Sequence, residues 1–297
     1  MTIAPISLPG TARRYGSIPS SLLYARTIAA NLAHKLLKQR KRSREQVAAD
    51  YDGGEWSQQA AAQTWLKVPD LKSYADKAWN RQTAVAMMDG ELWTVPAEDY
   101  YAFRRRKLIA ILDLFALGAD HITELGSGTG ANLCLLATSD RWSRITGLEL
   151  SPTGREVTQT IIDHFGLGDR VDVGAIDLLD PASPGFARIK GEVCFTHYCL
   201  EQLPNHTEQV FRALVAAGVR RAILLEPSYE LLSPLSLRDQ ASRTYVLRQD
   251  YQRSIVACAR KLELEGLIKV VATEQLDFVS SCRNPPTLVV FDVVGVG

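Results

Sequence analysis

Apolar and polar positions follow two different rhythms along the chain, and the change comes close to residue 118. Before it, apolar residues recur at three- and four-residue intervals. This predicts helices over 20–48, 56–67, 70–88 and 97–117, with "YDGGEW" and "MMDGELWTVP" as turn-rich joints and few strand patterns. After it, short β-branched and aliphatic runs alternate with helical stretches. Strands are expected at 121–125, 144–149, 170–174, 192–197, 221–226, 267–277 and 287–294, and helices at 130–139, 152–165, 206–218 and 236–264. Alternation of this kind builds a parallel sheet covered by helices. The last two strands break the pattern: only "VSSCRNPP" separates them, too short for a crossover helix, so they pair as an antiparallel hairpin. The expected architecture is α/β. A seven-stranded, mostly parallel sheet with a terminal antiparallel hairpin occupies 118–297, and a helical cap over 1–117 precedes it.

Composition fits this division without adding to it. At 297 residues, 46% hydrophobic and 23% charged, the chain has the balance of a folded globular protein rather than a disordered one. Its apolar runs are broken by charges well before the roughly 20 residues a membrane span needs. The N-terminal "MTIAPISLPGTARRYG" lacks the apolar region of a signal peptide, so a cytoplasmic protein with no membrane partner is expected. Five cysteines (Cys134, Cys194, Cys199, Cys258, Cys282) are odd in number and scattered, which points to reduced thiols rather than disulfides or a zinc site.

Charge changes the picture more. The first fifty residues hold nine Lys/Arg against Glu45 and Asp50, a net +7, so the overall +1 leaves −6 on the remainder. The densest part, "KLLKQRKRSRE" at 35–45, could meet phosphate or an acidic partner. Ile28, Leu32, Leu36 and Leu37 keep helical spacing through it, so the charges read as the solvated end of an amphipathic helix. An overall pI of 7.6 and the lack of interleaved aromatics argue against a nucleic-acid partner.

The chemistry starts at "DHITELGSGTGANL", Asp120 to Leu133. Gly126, Gly128 and Gly130 follow a strand and open a helix, offering backbone N–H groups and no Cβ atoms beside a ligand across the strand ends. Glu149 ends the next strand, where a carboxylate can accept from both ribose hydroxyls of a nucleoside. Asp177 follows the third, in reach of an exocyclic adenine amine. "GSGTGA" also fits the relaxed dinucleotide fingerprint. Against that stand Glu124, a negative charge where a pyrophosphate prefers none, the lack of a catalytic domain after this one, and the terminal hairpin.

On these residues the stretch 118–297 resembles a class I S-adenosylmethionine-dependent methyltransferase. Its acidic glycine motif is "ELGSGTG" at 124–130, its ribose acid is Glu149 in "ITGLELSP", and its adenine-contacting acid is Asp177 in "VGAIDLLD". The resemblance implies S-adenosylmethionine as cofactor, held by Glu124, Gly126, Ser127, Gly128, Gly130, Glu149, Leu150 and Asp177, with Ile176 and Leu178 flanking the adenine. It further implies that aromatic and cationic residues of the preceding helix, "DYYAFRRRKL", cover the cofactor. Tyr100, Tyr101 and Arg104 are the candidates there, and Trp56, Trp65, Trp79 and Trp93 read as core aromatics of the cap, one of which could line an acceptor pocket.

The family's fourth strand ends over the reactive methyl and here reads "EVCFTHYCLEQLP". His197, a titratable group near neutral pH at a strand end, is the candidate base. Tyr198 and Glu201 are rivals in the same loop, and Glu226 in "ILLEPSYE" is expected to point to the substrate side. A related family loop binds a divalent metal through two acids and a histidine. The matching positions here are Tyr198, Glu201 and Gln202, so no metal is expected. "RNPPT" at 283–287 resembles the motif of nucleic-acid amino-methyltransferases but precedes the wrong strand and has Thr287 for an aromatic, so it reads as a proline turn.

The function expected is methyl transfer to oxygen or nitrogen of a small biosynthetic metabolite or a short peptide. Two alternatives remain. One is another S-adenosylmethionine reaction on the same fold, either cyclisation or aminocarboxypropyl transfer releasing methylthioadenosine; the other is a binding partner that has lost catalysis. The basic head can pack on its own core or exchange with a second chain, which leaves a homodimer open.

Overall fold

The structure, a computed structural model, describes residues 10–15, 19–37, 44–80, 82–88, 91–276 and 284–295. The N-terminal part contains β1 (Arg13–Arg14), α1 (Ser20–Leu37), α2 (Arg44–Asp50), a π-helical turn at Tyr51–Glu55, α3 (Trp56–Ala62), a 3-10 turn at Thr64–Lys67 and α4 (Leu71–Ala75). β2 (Thr83–Met88), β3 (Glu91–Pro96) and α5 (Ala97–Phe115) follow. The core then runs β4 (His121–Leu125), α6 (Ala131–Ala137), β5 (Arg144–Glu149), α7 (Pro152–His164), β6 (Val171–Ala175), β7 (Val193–His197), α8 (Thr207–Ala216) and β8 (Arg221–Pro227). It closes with α9 (Leu237–Gln249), α10 (Ile255–Leu264), β9 (Ile268–Gln275) and β10 (Pro286–Val293).

The seven core strands lie in the order β6-β5-β4-β7-β8-β10-β9, parallel throughout except for β10, which runs antiparallel to both β8 and β9. This is the sheet that the resemblance implies. Helices cover both faces, so neighbouring residues on one strand feed different cores. On β7, Cys194 joins Phe211, Leu224 and Phe291 under α8 and α10, while Phe195 joins Ile122, Leu133, Trp142 and Leu225 on the face of α5 and α6. The strand order reverses at β4, between β5 and β7, and the crevice outside those carboxyl ends is where an open α/β sheet receives its ligand.

The cap differs from the helical expectation. In place of one helix over 70–88 and a turn at "MMDGELWTVP", β2 and β3 form a hairpin in which Met88 pairs with Glu91, and β1 completes a three-stranded antiparallel sheet. The Val, Thr and Trp residues on either side suit strands; Asp89 and Gly90 between them lie outside the described residues. The helix expected over 20–48 is described as α1 and α2; positions 38–43, which carry much of the basic run, lie outside the described residues, as do Cys282 and Arg283. The helix expected over 236–264 breaks at Asp250, whose φ is +53°. The break inserts the fully buried Gln252 between loops, where its N–H donates to Glu201 O (3.1 Å) and its side chain to Pro227 O.

α1 lies on α9. Asn31 donates to Thr244 Oγ1 (3.2 Å) and accepts from Arg248 (3.2 Å), and Tyr24, Met87, Leu92 and Ala241 form a small core between cap and sheet domain. Asp76, at the end of α4, is buried and takes the Arg105 side chain of α5 at 2.8 and 3.0 Å. Breaking a buried pair leaves one charge without its partner. Asp76→Ala is therefore expected to lower the unfolding free energy by about 3 kcal/mol in urea titration; a loss below about 1 kcal/mol would mark the pair as solvent-screened.

Candidate active site

A cavity of ≈ 1220 Å³ opens along the carboxyl ends of β4, β5, β6 and β7 and is roofed by the cap segments 47–79 and 100–104. β5 ends at Glu149, and the chain turns directly into α7, whose first N–H groups are capped by Ser151 Oγ accepting from Gly154 N (2.9 Å). Glu149 is nearly buried. Its Oε2 accepts from Gly128 N (2.8 Å) and its Oε1 from Ser151 N (2.9 Å), tying the glycine loop to the start of α7. Each oxygen retains a lone pair for a ligand hydroxyl. Burial pushes the Glu149 carboxyl above its ordinary range, against the pull of those N–H groups.

The glycine loop meets protein as well as cavity. Gly126 and Gly128 have φ of +74° and +55°. A methyl group at Gly126 would overlap the Cys199 sulfur, and one at Gly128 would come within 3.0 Å of the Trp56 indole. Bare backbone is thus needed for two side chains that close on the loop, Cys199 from beyond β7 and Trp56 from the cap. The cap is also hydrogen-bonded across the cavity mouth. Asp52 accepts from Ser151 Oγ and from Thr153 N (3.2 Å), and Gln59 accepts from Thr129 Oγ1 (2.7 Å).

The residues singled out in the sequence divide between cavity wall and support. Glu124, Gly126, Ser127, Gly128, Glu149, Leu150, Ile176, Asp177, Leu178, Arg104, His197, Tyr198 and Glu201 line the cavity. Gly130 does not; it begins α6 against Thr158. Tyr101 also stands off the wall, with Tyr100 edge-on to it at 5.3 Å lining the cavity instead. Glu226 faces away from the substrate side. It is fully buried beneath the β7 loop, where Oε1 accepts from Cys199 N (2.9 Å) and Oε2 from Glu201 N (3.2 Å), so its place is to shape the loop that carries Tyr198 and Glu201. Burial pushes its carboxyl up to about 7.

His197 ends β7 at 3.3 Å from Asn132 Nδ2, and the same Asn132 amide donates to Glu124 Oε1 at 2.6 Å. An amide nitrogen can only donate, so His197 Nδ1 accepts and the ring proton sits on Nε2. Burial first, and then the Arg104 charge, push His197 down to about 3. At neutral pH the ring is therefore neutral, with its proton on Nε2, rather than a strong base. Tyr198 follows with φ +58°, an uncommon conformation for a bulky residue, and its hydroxyl donates to Asn284 O (2.9 Å). Glu201 accepts from Gln202 (2.8 Å) and from Asn284. The "NPP" stretch, a distant turn in sequence, thus lies beside the β7 loop and lines the cavity through Asn284 and Pro286.

Asn132, Cys199, Asn284, Asp52, Trp56 and Gln59 carried no signal for these places in the sequence. Each reaches the site through tertiary packing, and only the turn-rich "YDGGEW" hinted at a structured joint.

No protein-family model matches the chain, and no curated protein matches it. Among solved structures it is similar to the methyltransferase domain of bacterial CtHen1, at 19% identity over 64% of this chain and 96% of that one, with a TM-score of 0.45. It is also similar to a geranyl diphosphate methyltransferase in complex with SAM (13% identity, 65% and 87% covered, TM-score 0.47) and to the [4+2]-cyclase SpnF (11%, 65% and 82%, TM-score 0.47). The fold class rests on the sheet order itself.

The buried acids give a pH signature. Glu124, pushed up to about 8 mainly by burial, holds its proton more tightly folded than unfolded, where 4.5 applies. Its favourable contribution is complete below about pH 4.5 and is lost as the pH rises through about 8. Glu226 adds the same sign up to about 7, while His197, pushed down, contributes above 6.5 and loses that contribution as the pH falls towards 3. Glu124→Gln should accordingly become more stable relative to the parent as pH is raised from 5 to 8, measured by urea unfolding at each pH; a constant difference would refute the buried protonated acid.

Proposed function

We propose that the protein is an S-adenosylmethionine-dependent methyltransferase acting on oxygen or nitrogen of a small metabolite. The observation that carries this reading is the acid on the glycine loop: Glu149 at the end of β5, bonded to Gly128 N at 2.8 Å, on the wall of a cavity of ≈ 1220 Å³. That volume exceeds the roughly 300–1,000 Å³ of a single small-ligand pocket, as a nucleoside donor and an acceptor together would require.

The residues fit the donor. Glu149 can accept from ribose hydroxyls, Asp177 at the end of β6 from an adenine amine, and Leu150, Ile176 and Leu178 supply apolar surface for the base. Glu124 has its Oε2 buried without a hydrogen-bond partner, and the fields of Glu149 and Glu226 oppose its ionisation. A cationic ligand at this wall favours the charged carboxylates, whereas a pyrophosphate would add to the repulsion. S-adenosylmethionine, when bound, supplies a methyl group on a sulfonium for in-line transfer.

The chain's own work is then orientation and exclusion of water. The Asp52–Ser151 and Gln59–Thr129 bonds close the cap over the glycine loop, and Trp56 covers Gly128. Glu226 holds the β7 loop, and His197 lines the cavity with its proton on Nε2. With His197 pushed down to about 3, an acceptor that needs no strong base suits this wall better than a neutral alcohol does.

Glu149→Gln keeps one acceptor oxygen and removes the charge. It is expected to weaken S-adenosylhomocysteine binding about tenfold by calorimetry, the scale of one charge-assisted hydrogen bond. Turnover with candidate acceptors should yield S-adenosylhomocysteine; release of methylthioadenosine from the cofactor alone would overturn methyl transfer in favour of other chemistry on the same donor.

A further inference from the structure

Part of the cavity wall, at the end of α4 and on α5, carries positive charge. Lys77 and Arg104 both line it and flank the Tyr101 ring, with Lys77 Nζ 4.5 Å and Arg104 Cζ 5.8 Å from its centroid. Neither has an ion-pair partner among the described residues. The nearest acid in sequence, Asp76, is taken by Arg105 and by Lys72 at 3.3 Å. Trp79 lines the same cavity and adds apolar surface beside them. An ammonium and a guanidinium can only donate, so this wall asks for a ligand that accepts.

The backbone at Lys77 argues that the charge serves more than the fold. α4 ends in a Schellman motif: Ala78 N donates to Ser73 O and Lys77 N to Tyr74 O, both at 2.9 Å. Lys77 occupies the left-handed position of that motif, with φ +50°, where glycine is the residue most favoured. The chain has a cation there against the local backbone preference.

The acids of the cavity lie on other elements or have other partners. Asp52 and Glu55 belong to the cap over the glycine loop, and Glu149 and Asp177 to the ends of β5 and β6. Of the acids nearer β7, Glu124 is held by Asn132, and Glu201 accepts from Gln202 and Asn284. The Arg104 charge is felt at His197 and Tyr198, which puts the guanidinium near the end of β7, with Lys77 on the other side of the Tyr101 ring. Tyr100, Trp79 and Tyr198 add flat apolar surface there.

We propose that Lys77 and Arg104 form a carboxylate subsite at the acceptor end of the cavity, with Trp79 beside them as apolar surface. An aromatic small molecule bearing a carboxylate is the ligand chemistry it fits; the amino-acid carboxylate of the donor has the same chemistry and is the second source. The inference rests on the reading of the cavity as a joint donor and acceptor site.

Calorimetry on the full chain tests it with Lys77→Gly, Lys77→Met and Arg104→Gln. The probes are benzoate and its neutral counterpart benzamide, titrated into protein with and without saturating S-adenosylhomocysteine, and S-adenosylhomocysteine against 5′-methylthioadenosine, which lacks the amino-acid carboxylate. Lys77→Gly relaxes the left-handed backbone and should keep or raise the thermal midpoint. All three variants should lose about tenfold in affinity for a carboxylate probe and little for its neutral counterpart. Loss confined to benzoate assigns the subsite to the acceptor, and loss confined to S-adenosylhomocysteine assigns it to the donor. Unchanged affinity for both carboxylates, or a loss in Lys77→Gly that Lys77→Met does not share, overturns it. Failure of the parent protein to bind either nucleoside would instead sink the donor reading, while the benzoate and benzamide comparison on unliganded protein still decides the subsite.

Discussion

One carboxylate organises the end of the sheet. Glu149 holds Gly128 N with one oxygen and Ser151 N with the other, which fixes the glycine loop after β4 relative to the first turn of α7 after β5. Ser151 then caps α7 with its hydroxyl and binds Asp52 of the cap, so the same short link reaches from the core sheet to its cover. Trp56 and Gln59 settle on the loop that Glu149 has placed. A buried carboxylate is costly unless its oxygens are satisfied by hydrogen bonds. Here the bonds that satisfy it are backbone N–H groups of two loops, so stabilising the charge and shaping the site are one event.

A second buried acid does the same work one strand away. Glu226 reaches from β8 under the β7 loop and accepts from the N–H groups of Cys199 and Glu201. The loop so held carries Tyr198 in a left-handed conformation and brings Cys199 against Gly126. The crevice between β4 and β7 is therefore bounded by two acid-braced loops. His197 lies between them, neutral because it is buried and because Arg104 stands near, and oriented because Asn132 links it to Glu124. A neutral, oriented ring of this kind favours positioning over proton abstraction.

Charge is sorted across the cavity in a way that overall charge conceals. The chain is close to neutral, yet Glu149 and Asp177 stand at the ends of β5 and β6, while Lys77 at the end of α4 and Arg104 on α5 have no ion-pair partner among the described residues. A cationic donor and an anionic acceptor group would each meet a complementary wall, an arrangement that fixes the direction in which the two ligands lie.

Much of this architecture was legible in the chain. The strands of the core came out within a residue or two, because parallel strands buried on both faces are short apolar runs, and the antiparallel closing pair followed from a connection too short to cross over. The acid and glycine positions at strand ends were readable for the same reason: they are local to one strand and one turn. The β2–β3 hairpin was legible only as a turn: "MMDGELWTVP" reads as a turn-rich joint, but the residues before it carry helical spacing, which hid the strand pairing on either side. What lay beyond the sequence was every contact made at long range. Cys199 on Gly126, Trp56 on Gly128, Asn284 beside Tyr198 and the turning of Glu226 under its loop join residues 27 to 86 positions apart or lie across separate elements. Periodicity records which face of an element is buried; it holds no record of which element covers that face. Tertiary packing alone decided that, and with it whether each polar residue became cavity wall or support.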